Sequence, residues 1–172
     1  MSILTKDKIL EEIKKGNLRI KPFNKDQVGP GSIDLTLGKH FRVFERQDGV
    51  CQVTEKTDFK KITSKVIISK KHPLLLKPWE TVLGVTQEKV TLSPNLCAWI
   101  EGRSRFARIG LAVHISAGFV QPGTSNYQVL EMANLGPTPL SLIPGVKICQ
   151  LVIQRCEGKA VYQGRFKDQD RP

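Results

Sequence analysis

The sequence predicts a mainly β domain, arranged as a sandwich, a jelly roll or a distorted barrel. Three observations carry that reading. Short apolar runs rich in Val, Ile and Leu recur along the chain, Pro, Gly and Asn punctuate them at short intervals, and helical patterning is confined to two brief stretches. The 172 residues suit one domain (1–172), with no repeat, low-complexity tract or linker to divide them.

The elements follow in order. Thr5 can cap a helix over residues 6–15 that lines up Ile9, Leu10 and Ile13, with Gly16 to close it. Ile33, Leu35 and Leu37 then alternate with Ser32, Asp34 and Thr36, the period of a half-buried strand. Residues 41–44 and 50–53 flank Asp48-Gly49, which predicts a hairpin. Further strands are expected at 66–69, 81–86, 96–100, 111–115, 127–133, 140–143 and 147–154. A second short helix, near residues 104–109, begins at Ser104 and stops at Gly110. The tail from Arg165 onward (residues 165–172) is polar, and is expected to be mobile until something orders it.

A formal charge of +11 favours anionic partners, nucleic acid or nucleoside triphosphates among them. Aromatic residues make up only 6% and form no basic–aromatic stripe, so no stacking platform for single strands is expected. Lys14–Lys15, Lys60–Lys61 and Lys70–Lys71 read as solvated surface. No apolar run approaches the roughly 18 residues a membrane span needs, and the charged N-terminus is unlike a secretory signal. A cytoplasmic protein with neither nucleic-acid nor membrane partners is expected. Cys51, Cys97, Cys149 and Cys156 contain no CxxC pair, His40, His72 and His114 are scattered, and HxE is absent. No zinc site is therefore expected, and the cysteines read as reduced thiols.

Residues 101–135 carry the chemistry. Gly102 allows close backbone approach, Ser104 starts a turn, and Arg103, Arg105 and Arg108 surround it. A helix start with guanidinium forks suits phosphate oxygens, although a capped surface helix with solvated arginines fits the same residues. In YQVLEMA, the positions Tyr127, Val129, Glu131 and Ala133 should share one strand face, and Leu130 and Met132 the other. A carboxylate held away from water there takes up protons more readily, as acid–base work at neutral pH requires. A structural Glu–Arg pair is the alternative. Residues 117–123, AGFVQPG, read as a tight turn region where backbone groups can approach a ligand.

Taken together, these segments resemble the dCTP deaminase family of the trimeric dUTPase-like superfamily, almost end to end. The resemblance rests on ILTKDKILEEIKKGNLRIKPF, GPGSIDLTLGKHFRVF, EGRSRFARIGL, VHISAG, VLEMANLGPTPLSLIPGVKICQLV and YQGRFKDQ. The opening helix with SIDLTLG is typical of the deaminase branch, and the Gly-rich C-terminal arm of ordinary trimeric dUTPases is missing. The resemblance implies a dUTPase-type barrel or jelly roll, and a homotrimer with active sites shared between neighbours. The implied reaction is zinc-free deamination of dCTP to dUTP, with Mg²⁺ arriving on the triphosphate and dTTP a candidate inhibitor.

By position, the resemblance makes Glu131 the general acid and base, with Ser104 and the Ala117 carbonyl placing the water and Arg108 beside the reaction centre. Arg103 and the turn containing Arg105, Phe106 and Ala107 would grip phosphate, and Val129 and Leu130 would meet base or sugar. Tyr162, Arg165 and Gln169 would close over the nucleotide, with Arg165 standing where the family usually has Lys. Two positions depart from the family pattern. Arg105 replaces a small hydroxyl residue, and Gln121 stands where the family usually has an Asp before Pro122, or a small residue. Gln can still hydrogen-bond the sugar but cannot act as a carboxylate base. The alternatives are therefore a bifunctional deaminase or dUTPase that yields dUMP and pyrophosphate, or a relative that binds nucleotides without turnover.

Overall fold

Thr5 does begin the first helix, α1 (Lys6–Lys14), in the computed structural model, which describes residues 2–172. Its hydroxyl bonds the Asp7 side chain instead of a backbone N–H. Ile9 is fully buried, and one turn later so is Glu12. The Glu12 carboxylate accepts from Arg155 Nη2 at 2.7 Å and from Asn17 Nδ2 at 2.8 Å. Burial alone would push this carboxyl up, but the bonds from Arg155 and Asn17 outweigh it and hold the group below the usual glutamate range. Gly16 follows the helix at φ 76° and its N–H donates to the Ile13 carbonyl, as a glycine stop should.

The rest is strand: β1 (Leu18–Lys21), β2 (Ile33–Thr36), β3 (His40–Phe44), β4 (Thr63–Ile67), β5 (Leu74–Leu76), β6 (Thr81–Leu92), β7 (Leu96–Gly102), β8 (Leu111–Ala112), β9 (Phe119–Val120), β10 (Ser125–Asn134), β11 (Leu140–Leu142) and β12 (Lys147–Arg155). A second helical turn, α2 (Ser104–Ala107), follows β7. One six-stranded sheet runs β4-β3-β6-β10-β8, with β1 also on β6, and a four-stranded sheet runs β2-β12-β7-β9. β5 and β11 form a small third sheet. One hydrophobic cluster joins the two large sheets, with Leu35, Ile100 and Leu151 from one and Phe41, Val90, Leu130 and Met132 from the other. Each such aliphatic side chain contributes roughly 1.5–3 kcal/mol by leaving water. The architecture is thus the mainly β arrangement expected, but the described strands do not close into a barrel.

Several local expectations change. β3 pairs with β4, Arg42 opposite Lys65, and residues 50–53 form no strand. Val50 and Val53 are 94% and 96% exposed, so the Asp48-Gly49 turn has no buried face on its far side to hold a strand. The strand expected at 111–115 shrinks to β8. The second helix is shorter too. Arg103 occupies its cap position, and the Ser104 side chain makes no capping bond. Gly110 does end that turn, at φ 85°, and a Cβ there would meet the Gly136 nitrogen at 2.6 Å.

Candidate active site

β10 alternates as its sequence suggests, with Leu130 and Met132 fully buried in the core and Glu131 half-buried on the other face. Val129 and Glu131 line a cavity of about 640 Å³. The register of β10 against β6 shifts between Tyr127 and Val129. Such an irregularity re-aims side chains, and Asn126 and Gln128 reach the same cavity while Tyr127 lines a different one. The alternation nonetheless persists from Asn126 to Met132, the even positions buried and Tyr127, Val129 and Glu131 less so, and only Ala133 departs from it by being buried as well. Leu130, expected against base or sugar, points into the core.

The loop after β8 arches over the carboxylate. Ser116 donates from both its backbone nitrogen and its hydroxyl to Glu131 Oε2, at 3.2 and 3.1 Å. No hydrogen bond reaches Oε1 among the described residues, so that oxygen is free to take a ligand or water. The Glu131 N–H donates to His114 Nδ1 at 3.4 Å. The His114 Nε2 is buried in the cavity wall with no hydrogen-bond partner among the described residues. Gly118 pins the loop to β7, its carbonyl accepting from the Ile100 N–H at 2.8 Å.

Of the residues expected at the site, Ala117, Gln121, Val129, Glu131, Tyr162 and Gln169 line this cavity together. Sequence reasoning passed over His114, Ser116, Asn126 and Gln128, and the aromatic wall of Phe44, Phe59, Phe119 and Phe166. Two amides at alternate places on an apolar strand were the available clue to Asn126 and Gln128. They are linked, Gln128 Nε2 donating to Asn126 Oδ1 at 2.7 Å and Asn126 Nδ2 to the Phe166 carbonyl at 2.8 Å.

The tail expected to be mobile is docked over this cavity. Tyr127 N–H donates to the Gln169 carbonyl, and Gln169 Nε2 returns a bond to the Tyr127 carbonyl at 3.0 Å. The Tyr162 N–H donates to the Pro122 carbonyl at 2.9 Å. Arg165 turns aside, donating to the Thr57 carbonyl at 3.1 Å and lying 3.9 Å from Asp58.

None of Arg103, Ser104, Arg105, Phe106, Ala107 and Arg108 lines the Glu131 cavity. Phe106 packs against the core, while Ser104, Arg105 and Arg108 are exposed. Arg103 is committed elsewhere, 3.2 Å from Asp34 and donating to the Lys147 carbonyl at 2.8 Å. Within one chain the acid and the arginine turn do not share a cavity. Among the thiols, burial pushes Cys97 up to about 11 and, more strongly, raises Cys149, so both behave as core residues.

The family model for dCTP deaminase-like proteins matches residues 3–156. The chain belongs to the dCTP deaminase family. Two similar relatives are both named "dCTP deaminase, dUMP-forming". The one from Parafrankia sp. is 36% identical over 99% of this chain and 88% of its own length, and the one from Nocardioides sp. is 37% identical over 99% and 92%. A dCTP deaminase from Halorubrum lacusprofundi is 34% identical over 99% of this chain and 88% of its own. The fold is similar to the crystal structure of 2'-deoxycytidine 5'-triphosphate deaminase from Agrobacterium tumefaciens, with TM-score 0.69 and 19% identity over 90% of this chain. That alignment spans about half, 48%, of the Agrobacterium chain. No helix among the described residues of this family member is long and apolar enough to cross a membrane.

Proposed function

We propose that this protein removes the 4-amino group of dCTP by hydrolysis, giving dUTP and ammonia, with Glu131 as the acid–base group. The observation that carries the reading is the state of Glu131: half-buried in a nucleoside-sized cavity, one carboxylate oxygen fixed by Ser116 and the other unengaged. Oε1 takes a proton from water as the water oxygen bonds to C4 of the base. The proton passes through the carboxyl group to the departing nitrogen, the C4–N bond breaks, and ammonia leaves with oxygen retained on C4. Ser116 holds the carboxylate in place throughout, and the carbonyl of the neighbouring Ala117, a residue of the same cavity lining, orients the water in this reading.

Phosphate binding calls for a second copy. Because the arginine turn lies outside the Glu131 cavity of its own chain, a homotrimer that places one protomer's Ser104, Arg105 and Arg108 over its neighbour's cavity completes the site. Exposed guanidinium groups on a short turn suit the triphosphate, which brings Mg²⁺ as part of the substrate. Tyr162 and Gln169 then cover the sugar and base. Incubation with dCTP tests the reading directly. Ammonia and dUTP should appear in equal amounts, and Glu131→Gln should abolish both while dCTP still binds. Near-normal turnover by that variant would remove Glu131 from its role.

A second reading ends at dUMP and pyrophosphate, and the names of the similar relatives from Parafrankia and Nocardioides favour it. Gln121 weighs against it, since an amide supplies no base for water attack on phosphorus. Release of pyrophosphate from dCTP or dUTP would decide for the second reading.

A further inference from the structure

A second cavity, of about 810 Å³, opens further along the β6–β10 pair, away from Glu131. Its lining includes Lys39, His40, Lys70, Tyr127 and, from the tail, Asp170 and Arg171. Three of these six side chains, Lys39, Lys70 and Arg171, are cations at neutral pH. The single carboxylate, Asp170, lies 3.7 Å from Arg171 and is answered there. The cationic rim continues outward, because Lys21 stands directly opposite Lys89 across β1 and β6, and Lys89 directly opposite Tyr127 across β6 and β10. Like charges placed face to face are unfavourable in the empty state, and they become favourable once an anion sits between them. The reaction proposed above uses none of these cations, although they form part of the +11 excess.

We propose that this cleft binds the phosphate chain of a small polyphosphate anion, inorganic or carried on a nucleotide, and that the bound anion fastens the C-terminal tail across the Glu131 cavity. The tail connects the two places. Phe166 and Gln169 line the Glu131 cavity, Asp170 and Arg171 line the basic cleft, and Gln169 is paired with the backbone of Tyr127 between them. An anion held by Lys39 and Lys70 from the body and by Arg171 from the tail ties the end of the tail down. The binding does not depend on which reaction the other cavity performs.

His40 reports on occupancy. In the empty cleft, burial first and then the positive charges of Arg171 and Lys39 depress its pKa below the ordinary histidine value, with Asp170 opposing them. Lys70 lines the same cleft. A bound anion favours the imidazolium, so the His40 titration moves to higher pH and anion affinity rises as pH falls.

The experiment follows the His40 imidazole by proton NMR during titration with inorganic tripolyphosphate, and in parallel the rate of tryptic cleavage at Arg165 and Lys167. The expected result is an upward shift of the His40 titration and a several-fold slower cleavage. Both responses should vanish in Lys39→Gln/Lys70→Gln, return in Lys39→Arg/Lys70→Arg, and persist in Arg103→Ala, whose lesion lies in the arginine turn. Recovery by the charge-retaining pair shows that the first pair failed through lost charge and not through misfolding. ATP bound more tightly than tripolyphosphate would mean that a nucleotide carries the chain; equal binding would mean that the chain alone suffices. An unmoved His40, responses lost only in Arg103→Ala, or a short single-stranded oligonucleotide that binds more tightly than either would each overturn the proposal.

Discussion

Arg103 is paired with Asp34, Nη2 to carboxylate 3.2 Å, across from one sheet strand to the loop that opens α2. Asp34 is itself placed by a buried network. Gln27 Nε2 donates to the Asp34 carbonyl at 3.0 Å and to Glu88 Oε1 at 2.7 Å, and Glu88 Oε2 accepts from the Thr36 N–H. The SIDLTLG strand thus fixes where the arginine turn begins. With Arg103 so engaged, Arg105 and Arg108 are left as the exposed cations of the turn.

Asp34→Asn should therefore act on binding more than on chemistry. Both partners are only 21% exposed, so the pair is poorly screened, but Arg103 keeps its bond to the Lys147 carbonyl, and the loss in stability should be about 1–2 kcal/mol. The turn loses its anchor, and KM for dCTP should rise several-fold with kcat nearly unchanged. Steady-state kinetics check this; an equal fall in kcat would mean that Asp34 serves the reacting centre instead.

Arg155→Met removes the cation from buried Glu12. One strong bond of Glu12 is lost while Asn17 remains, and Arg155 is partly exposed, so the cost at pH 7 should be about 2 kcal/mol. The sign with pH follows from the depressed Glu12 pKa. Its contribution is complete above the unfolded value, about 4.3, and fades as pH falls through the folded value. Urea unfolding of both proteins should therefore show the gap narrowing below about pH 4. A gap that widened in acid would contradict the pairing.

Gln121→Asp restores a carboxylate beside the cavity that Glu131 also lines. The ratio of pyrophosphate to ammonia released from dCTP should rise several-fold, since a base for a second water is now present. An unchanged ratio would show that position 121 does not govern the end product.

Gly123→Ala strikes the root of the tail. Gly123 sits at φ 70°, and a Cβ there would lie 2.8 Å from the Val161 Cα. The left-handed backbone alone costs an L-residue about 1–2 kcal/mol, and the clash pushes Val161 and Tyr162 away from Pro122. Tryptic cleavage in the tail should accelerate and KM should rise. Unaltered cleavage would mean that the tail is held elsewhere.

How much of this was legible depended on whether a residue's role is local. Gly16 and Gly110 could be read as helix stops because a positive φ leaves its mark on the residue itself. Glu131 stood out because an acid on an alternating apolar strand is anomalous wherever the strand pairs. The pairing of β3 with β4 across a long loop was not legible, since the Asp48-Gly49 turn signal outweighed the weak alternation of residues 63–67. Nor was Arg42, which is buried with its guanidinium 5.5 Å from the Phe59 ring and bonded to Thr63. His114 escaped because a lone histidine in a short loop carries no pattern. Its place in the cavity wall is set by contacts from a strand 17 residues on.

The separation of acid and guanidinium groups within a single polypeptide has a genetic corollary. If each working centre draws on two neighbours, a chain lacking only Glu131 and a chain lacking only Arg108 carry complementary wounds. Denatured together and refolded, a mixture of the two inert proteins should regain a fraction of normal turnover through mixed assemblies, while either alone stays dead. Failure of that rescue, with mixed trimers verified by mass spectrometry, would place the whole chemistry back inside one subunit.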